Sequence, residues 1–453
     1  MSALATPGPP RTSGATVWDV AIVGGGILGT SVALWLAQRY DARVAVLERE
    51  GAVAEHASKR NTGLVHRPFY LDPNERRVFA RASQVSYGLW KRYAAERGLP
   101  WRSMGTLEVA LDDRDYRVLE TYLKWGLGNG MKGDELELLN DRQVRFLEYA
   151  VRCAGAIHSK TDTAVDYRAF TEALRRDAEA LGVTFLTGVA AQRIAATGDG
   201  LEIATEGAHT PISTRYLVGC AGGESVDLAH AMGVGLEYTD LHFRGEYWVA
   251  GAGIANLVSR NVYSVPRHRD LPFLDPHWVV RVNGRREIGP NAVPVSGPRS
   301  YHGLLRPIAP WIAKFLEPPV ANKVHLLLNR DFLSLSAEEM WSSVSKAEML
   351  RRVQRFIPSL RERHLVAPGT AGIRSPVVDR RGAIVKEAIE VPGPHSYHIL
   401  NYNSPGATGA PAYAAYLVDR LAARGDLDHL KKNPKPQKVW DWDTIAKAME
   451  LGD

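Results

Sequence analysis

Apolar and polar positions change period several times along the chain, and the changes divide it into elements. VWDVAIV (17–23) is a short apolar run rich in β-branched residues, the form of a strand buried on both faces. GGGILG follows, TSVALWLAQRY then carries apolar residues at helical spacing, and RVAVLERE reads as a second strand ending in an acid. Parallel strands need such a helical crossover, so this opening stretch reads as a βαβ unit. Residues 50–73 are loop, and ERRVFARASQVSYGLWKRYAAERG (75–98) is amphipathic helix with its stripe through Val78, Phe79, Val85, Leu89 and Tyr93. A helix is predicted over DYRAFTEALRRDAEALG, a strand at VTFLTG, hairpin strands in 189–205, a buried strand at RYLVGCAGG and a helix at ESVDLAHAMG. From 236 to 300 aromatic and β-branched residues alternate with polar ones, which predicts antiparallel sheet. SAEEMWSSVSKAEMLRRVQRFIP reads as one helix, opened by a serine cap with Glu338 and Glu339 in its first turn and stopped before Pro358. Near 370 the βα character returns with a Gly-rich loop, a strand (YHILNYN) and a helix (PGATGAPAYAAYLVDRLA). A Pro-broken KKNPKPQK linker and a short terminal helix at DWDTIAKAME close the chain.

Composition narrows the class. The 453 residues allow two or three units of about 150. With 45% hydrophobic and 23% charged residues the chain is not a disordered, collagenous or coiled-coil protein. Mean hydropathy is −0.20 and no run of 18 apolar residues occurs, so no membrane-spanning helix is expected. Lys and Arg number 56 against 50 Asp and Glu. That excess, with no basic stripe interleaved with aromatics, gives no reason to expect a nucleic-acid partner; it suits an acidic small molecule or an anionic lipid surface. Cys153 and Cys220, the only cysteines, fit a reduced cytoplasmic protein, and no metal site is expected. Residues 1–16 read as a disordered tail without the apolar core of a secretory signal.

Gly24-x-Gly26-x-x-Gly29 stands where a dinucleotide fingerprint must stand, after a strand and opening a helix. Gly24 permits the tight turn, Gly26 lets backbone approach a pyrophosphate, Gly29 allows close helix–strand packing, and the anion rests on the helix N-terminus. Glu48, nineteen residues after Gly29 at the end of the second strand, suits ribose hydroxyls.

The block Glu55-His56-Ala57-Ser58-Lys59-Arg60-Asn61-Thr62-Gly63-Leu64-Val65-His66 resembles the loop after the second strand in D-amino-acid-oxidase-type flavoproteins, most closely the L-2-hydroxyglutarate dehydrogenases and oxidases. Further stretches resemble that family in the same order: Phe243-Arg244-Gly245-Glu246-Tyr247, Tyr263-Ser264-Val265-Pro266, Gly289-Pro290-Asn291-Ala292, Gly372-Ile373-Arg374 with Asp379-Arg380-Arg381-Gly382, and Asn403-Ser404-Pro405-Gly406-Ala407-Thr408. The resemblance implies an α/β protein: a discontinuous Rossmann-like FAD-binding domain (17–95, 155–235 and 365–425) with an inserted α+β antiparallel-sheet substrate domain (96–154 and 236–364), the flavin lying at their junction. Residues 426–453 form a basic C-terminal tail. It implies FAD contacts from Gly24, Gly26, Ile27, Leu28, Gly29, Glu48, Arg49, Ser58, Asn61, Thr62, Gly63, Val189, Ala221, Gly222, Gly406, Ala407 and Thr408.

The chemistry this implies is oxidation of a small 2-hydroxy acid to the 2-oxo acid, with hydride loss from Cα to flavin N5 and proton loss from the hydroxyl. A neutral histidine is the natural base near pH 7. His66 and His277 both match family histidines and both stand as candidates, while His56 reads as support for the loop. A planar, permanently charged partner suits the carboxylate, so Arg374 in Gly-Ile-Arg is the expected clamp and Arg244 a second cation for a dicarboxylate. The chain departs from the family after His66, where Arg67-Pro68-Phe69-Tyr70 puts an extra cation and a stiff ring at the expected pocket edge; Tyr70 is a candidate substrate contact. Two other readings stay open: an amino-acid or amine oxidase of the same superfamily, and a flavin-bound assembly protein without turnover. The electron acceptor, oxygen or a quinone, is not readable. The tail with Lys431, Lys432, Lys435, Lys438, Trp440 and Trp442 reads as solvated, with weak contact to an anionic membrane as the alternative.

Overall fold

The computed structural model describes residues 16–207, 210–267, 275–301, 308–329, 332, 334, 336, 339, 341, 345–434 and 438–452. The tail expectation for residues 1–15, and those on Glu338 and Lys435, fall outside the described residues.

Val17–Val23 and Val44–Glu48 form as the apolar runs predict, and they pair in parallel at the heart of an eight-stranded sheet. Its order is Thr184–Thr187, Val44–Glu48, Val17–Val23, Ile212–Gly219, Gly200–Glu206, Ala190–Thr197; Ser396–Leu400 joins Ile212–Gly219 in parallel and carries Ile389–Gly393. Helix Ile27–Arg39 is buried from Ile27 through Gln38, so it reads as apolar nearly all round. It packs with helices Gly406–Ala423 and Tyr167–Ala180 in the largest core, and Arg77–Arg97 packs on Gly406–Ala423. Asp166 caps Tyr167–Ala180 through the N–H groups of Arg168 and Ala169.

A second sheet of nine strands runs Val293–Val295, His242–Ala250, Arg286–Gly289, His277–Val280, Asn261–Ser264, Thr106–Ala110, Gly155–Ser159, Leu136–Asn140, with Leu365–Arg374 also paired to His242–Ala250. Strand alternation splits its residues. Leu107, Val109, Val262, Trp278 and Ile288 enter an apolar core with Met349, Leu350 and Val353 of helix Lys346–Gln354. Their neighbours Glu108, Tyr263 and His277 lie on the opposite, polar face.

Sheet membership corrects three expectations. Gly155–Ser159 and Leu365–Arg374 both belong to the nine-stranded sheet, although the sequence assigned them to the nucleotide-binding part. Leu365–Arg374 holds two glycines and a proline and reads locally as loop; its strand character comes from a partner more than a hundred residues away. The C-terminal tail is structure: Lys431–Lys432 pairs with Tyr40–Asp41, and helix Trp442–Met449 packs on Gly406–Ala423 and Arg77–Arg97. Trp440 is 1% exposed among Trp35, Trp90 and Tyr93, and the Arg39 guanidinium lies over Trp442 at 3.5 Å. Both rings thus pack against the protein. Ser336 is itself helical, as are Phe332, Ser334, Glu339 and Trp341, so it is not a cap; a separate helix, Lys346–Gln354, is capped by Ser345 through the Glu348 N–H. Among the described residues no helix is long and apolar enough to cross a membrane.

Candidate functional site

A cleft lined by residues of both parts of the molecule runs between the two sheets. One end is built from backbone. Gly24 has φ +112°, and a Cβ there would lie 2.3 Å from the Cys220 carbonyl oxygen. A Cβ on Gly29 would lie 2.0 Å from the Gly24 carbonyl oxygen, so only glycine lets this helix start so close to the strands. Gly26 is the N-cap of Ile27–Arg39 with no side-chain cap, leaving the helix mouth open to the cleft; Ser58 Oγ accepts from the Ile27 N–H at 3.0 Å. Helix Gly406–Ala423 also begins at the cleft without a side-chain cap. Two such N-termini, each with a positive dipole end, suit an anionic cofactor. The donor set fits a dinucleotide.

Gly26, Ile27, Leu28, Ser58, Asn61, Thr62, Gly222, Gly406, Ala407 and Thr408 all line the cleft. Asn61 also shapes its own loop, accepting from the Gly63 N–H and donating to the carbonyls of Ala57 and Ser58. Thr408 Oγ1 accepts from the His66 N–H and contacts Tyr167 Oη, tying the helix start to the strand that leads into His66. The other predicted cofactor residues take different places. Glu48 is buried and accepts from the N–H groups of Gly25 and Glu50; burial pushes its carboxyl above the usual range against those donors. Arg49 is held by both oxygens of Glu224. The Val189 N–H donates to the Glu48 carbonyl, so that amide is already used. Ala221 follows Cys220 at the turn beside Gly24.

The other end is built from side chains. His66 Nδ1 lies 3.2 Å from Asp162 Oδ2, and Asp162 is fully buried. Asp162 also accepts from Thr106 Oγ1, Ser159 Oγ and the Arg67 N–H. With donors converging on both its oxygens Asp162 is an acceptor, which assigns the proton to His66 Nδ1 and leaves Nε2 with a lone pair. The His66 ring is set edge-on to Tyr70 and Tyr263. Arg374 lines the cleft on the same side, its guanidinium among Tyr247, Tyr70 and Tyr263; burial lowers its pKa from the ordinary value. Burial likewise raises the phenols of Tyr70, Tyr247 and Tyr263, keeping them protonated donors.

His277 stacks on Tyr263 with centroids 3.9 Å apart. Its Nδ1 lies 3.0 Å from the Asp275 carbonyl oxygen, which only accepts, so Nδ1 carries the proton. Nε2 is buried with no hydrogen-bond partner among the described residues, as is Tyr263 Oη. Burial, together with nearby Arg374, pushes the His277 imidazole down to about 3.

Two expected cations are elsewhere. Arg244 alternates with Phe243 and Gly245, which line the cleft, and so points to the other side, held by Glu246 at 2.7 Å and donating to the Ser300 carbonyl. Arg244 is thus not among the residues that line the cleft, consistent with strand parity. Arg67 is buried against Glu135, Thr161 and Gln84 and does not form the pocket edge. The residues that sequence reasoning passed over are Asp162, Glu108, Tyr247 and Tyr263. Strand alternation in FRGEYW would have placed Tyr247 with Phe243; nothing local ties Asp162 to a histidine 96 positions away.

A profile of the FAD dependent oxidoreductase family matches residues 19–420. The L-2-hydroxyglutarate dehydrogenase of Salmonella houtenae is 29% identical over 428 residues, covering 92% of this chain and 96% of that protein. The human mitochondrial L-2-hydroxyglutarate dehydrogenase is 27% identical over 436 residues, covering 93% and 92%. Among solved structures, FAD-bound L-α-glycerophosphate oxidase from Mycoplasma pneumoniae superposes with a TM-score of 0.70 at 21% identity, covering 93% of this chain and 97% of that one. Glycine oxidase from Geobacillus kaustophilus gives 0.65 at 18%, covering 94% and 97%. At those identities the structures speak for the fold alone.

Proposed function

The chain belongs to the FAD dependent oxidoreductase family, and from that premise we propose that it oxidises a small 2-hydroxy acid, of the class that includes L-2-hydroxyglutarate, to the 2-oxo acid. The observation that carries this reading is the His66–Asp162 pair set beside Arg374 at the side-chain end of the cleft. FAD would be held by the Gly24–Gly29 turn, Ser58, Thr62, Gly222 and the amides of Ala407 and Thr408, and would supply the two-electron acceptor for the substrate's hydride.

The remaining steps belong to the chain. Arg374 binds the carboxylate through its planar fork and fixes the orientation of C2. His66 Nε2 accepts the hydroxyl proton as the C2–H bond gives up its hydride, so one C–H and one O–H bond are broken and C=O is formed. Asp162 keeps the ring in the tautomer that leaves Nε2 bare and stabilises the imidazolium that results. Burial holds His277 far below neutral pH, which disfavours it as the proton acceptor. The phenols around Arg374 exclude water without adding charge.

Anaerobic bleaching of the bound flavin by a panel of L- and D-2-hydroxy acids and 2-amino acids tests the proposal. Bleaching by one enantiomer of a 2-hydroxy acid is expected. Bleaching by 2-amino acids alone overturns it.

A further inference from the structure

Residues 298–301 lie just after strand Val293–Val295 of the nine-stranded sheet, and there the chain crosses to the nucleotide-binding part. Pro298 packs so closely on Gly223 that a Cβ on that glycine would lie 2.5 Å from Pro298 Cβ. Arg299 pairs at 3.3 Å with Glu224, the carboxylate that also holds Arg49. Tyr301 reaches the other loop. Its Oη lies 3.0 Å from His56 Nδ1, the two rings stack with centroids 5.7 Å apart, and the Arg60 guanidinium lies over the phenol ring at 4.1 Å. Arg244 fastens the segment to its own sheet by donating to the Ser300 carbonyl.

The two loops joined by this segment flank the glycine turn. Gly24 is pressed against the Cys220 carbonyl on one side, and Gly26 lies beside Ser58 on the other, where a Cβ would come to 3.1 Å from the serine Oγ. Cys220 leads into Gly223 and Glu224, and Ser58 stands between His56 and Arg60. Residues 298–301 therefore close a ring around the open mouth of helix Ile27–Arg39, the turn and the two loops being its other sides. The Glu50 carboxylate only accepts, so His56 Nε2 carries a proton on its 2.9 Å contact with Glu50, and the neutral ring takes the Tyr301 hydroxyl at Nδ1. Burial pushes the Tyr301 phenol up to about 12, which keeps it a donor. Arg60 lines the cleft inside this ring, and among the described residues its guanidinium meets one acceptor, the Glu55 carbonyl, through Nε. The Glu55 carboxylate is taken by Lys59 and Arg168.

We propose that residues 298–301 are a strap that retains the cofactor, and that Arg60, seated on Tyr301, binds the diphosphate of FAD together with the amides at the start of helix Ile27–Arg39. A guanidinium fork and an uncapped helix N-terminus both suit a diphosphate, and a cation seated on an aromatic face keeps its N–H edge for an anion. The strap belongs to the substrate sheet, so one part of the molecule closes over the cofactor site of the other. Exit of FAD requires the contacts of Tyr301 and Arg299 to open.

Release of FAD from the diluted holoenzyme, read as flavin passing an ultrafiltration membrane with time, tests both parts. It uses no substrate, so its outcome is independent of the reaction proposed above. Y301A is expected to release FAD about tenfold or more faster than wild type, because a hydrogen bond and a cation–π contact go together. Y301F keeps the ring and should fall between. R60M should release FAD as fast as Y301A, with R60K intermediate because it keeps the charge and loses the fork. R299Q, at the exposed end of the strap, should change least. Release from wild type should quicken with added salt, and R60M should lose part of that dependence, which a packing defect would not do. Wild-type release in Y301A overturns the strap; if Y301A does not fold, unchanged release in both Y301F and R299Q overturns it. Should R60M keep wild-type release while its flavin reduction by 2-hydroxyglutarate falls relative to 2-hydroxypentanoate, Arg60 serves a substrate carboxylate and its assignment to the diphosphate is wrong.

Discussion

At the glycine-turn end of the cleft the groups offered to a ligand are backbone amides and short hydroxyls, supplied by two helix starts and one loop. At the sheet end they are long side chains from separate strands and loops: His66, Asp162, Tyr247, Tyr263, Arg374. The first kind of site needs close approach, so its elements are glycines whose missing Cβ atoms would otherwise strike carbonyl oxygens. The second kind needs charge and proton transfer, so its elements are buried polar groups held by one another. The two ends should fail differently.

The largest effect is expected at the backbone end. Gly29→Val places carbon against the Gly24 carbonyl, where a Cβ alone would sit at 2.0 Å, with no flexible side chain to yield. The protein should purify without flavin absorbance and should not take up added FAD. A yellow Gly29→Val protein would mean that the turn tolerates what its geometry forbids.

At the side-chain end FAD should stay while turnover suffers. Arg374→Met is expected to cost about 2–5 kcal/mol in substrate binding and reduction together, since it removes one partner of a desolvated pair. Arg374→Lys keeps the charge but loses the fork, and should fall between. Arg244→Met, by contrast, should leave the ratio of rates for mono- and dicarboxylate substrates unchanged, because that side chain is spent on Glu246. Stopped-flow reduction at varied substrate concentration checks all three.

A smaller effect concerns stability. Glu108 stands near 8 in the folded protein against 4.5 ordinarily, so the folded state keeps a proton that the unfolded chain releases. Stability from this group is full below about pH 4.5 and is lost as pH rises towards 8. Thermal unfolding at pH 5 and pH 8 should show a drop in Tm for wild type that is reduced in E108Q.

The same contrast explains what could be read from the sequence. Gly24, Gly26, Gly29 and the 58–63 loop lie close together along the chain, and their chemistry follows from residue type and spacing alone. Val17–Val23 and Val44–Glu48 were legible for the same reason: a strand buried on both faces is an apolar run. Asp162 is an unremarked acid until the fold carries it beneath His66, and Arg244 looks like a ligand until strand parity turns it away. Leu365–Arg374 became a strand only through its partner, and Trp440 became core only because the tail folds back onto Trp35 and Trp90. Long-range pairing decides Asp162, Leu365–Arg374 and Trp440, and local pattern does not report it; for Arg244 the alternation was there to read once the segment was known to be a strand.

The central claim is that His66 and Asp162 act as one proton-accepting unit, and anaerobic single-turnover flavin reduction in a double-mutant cycle tests it most directly. His66→Asn and Asp162→Asn should each slow reduction by about 10²–10⁴-fold with FAD still bound, and the double variant should be little slower than His66→Asn alone. Wild-type rates in His66→Asn, or losses that simply multiply in the double variant, would contradict the account.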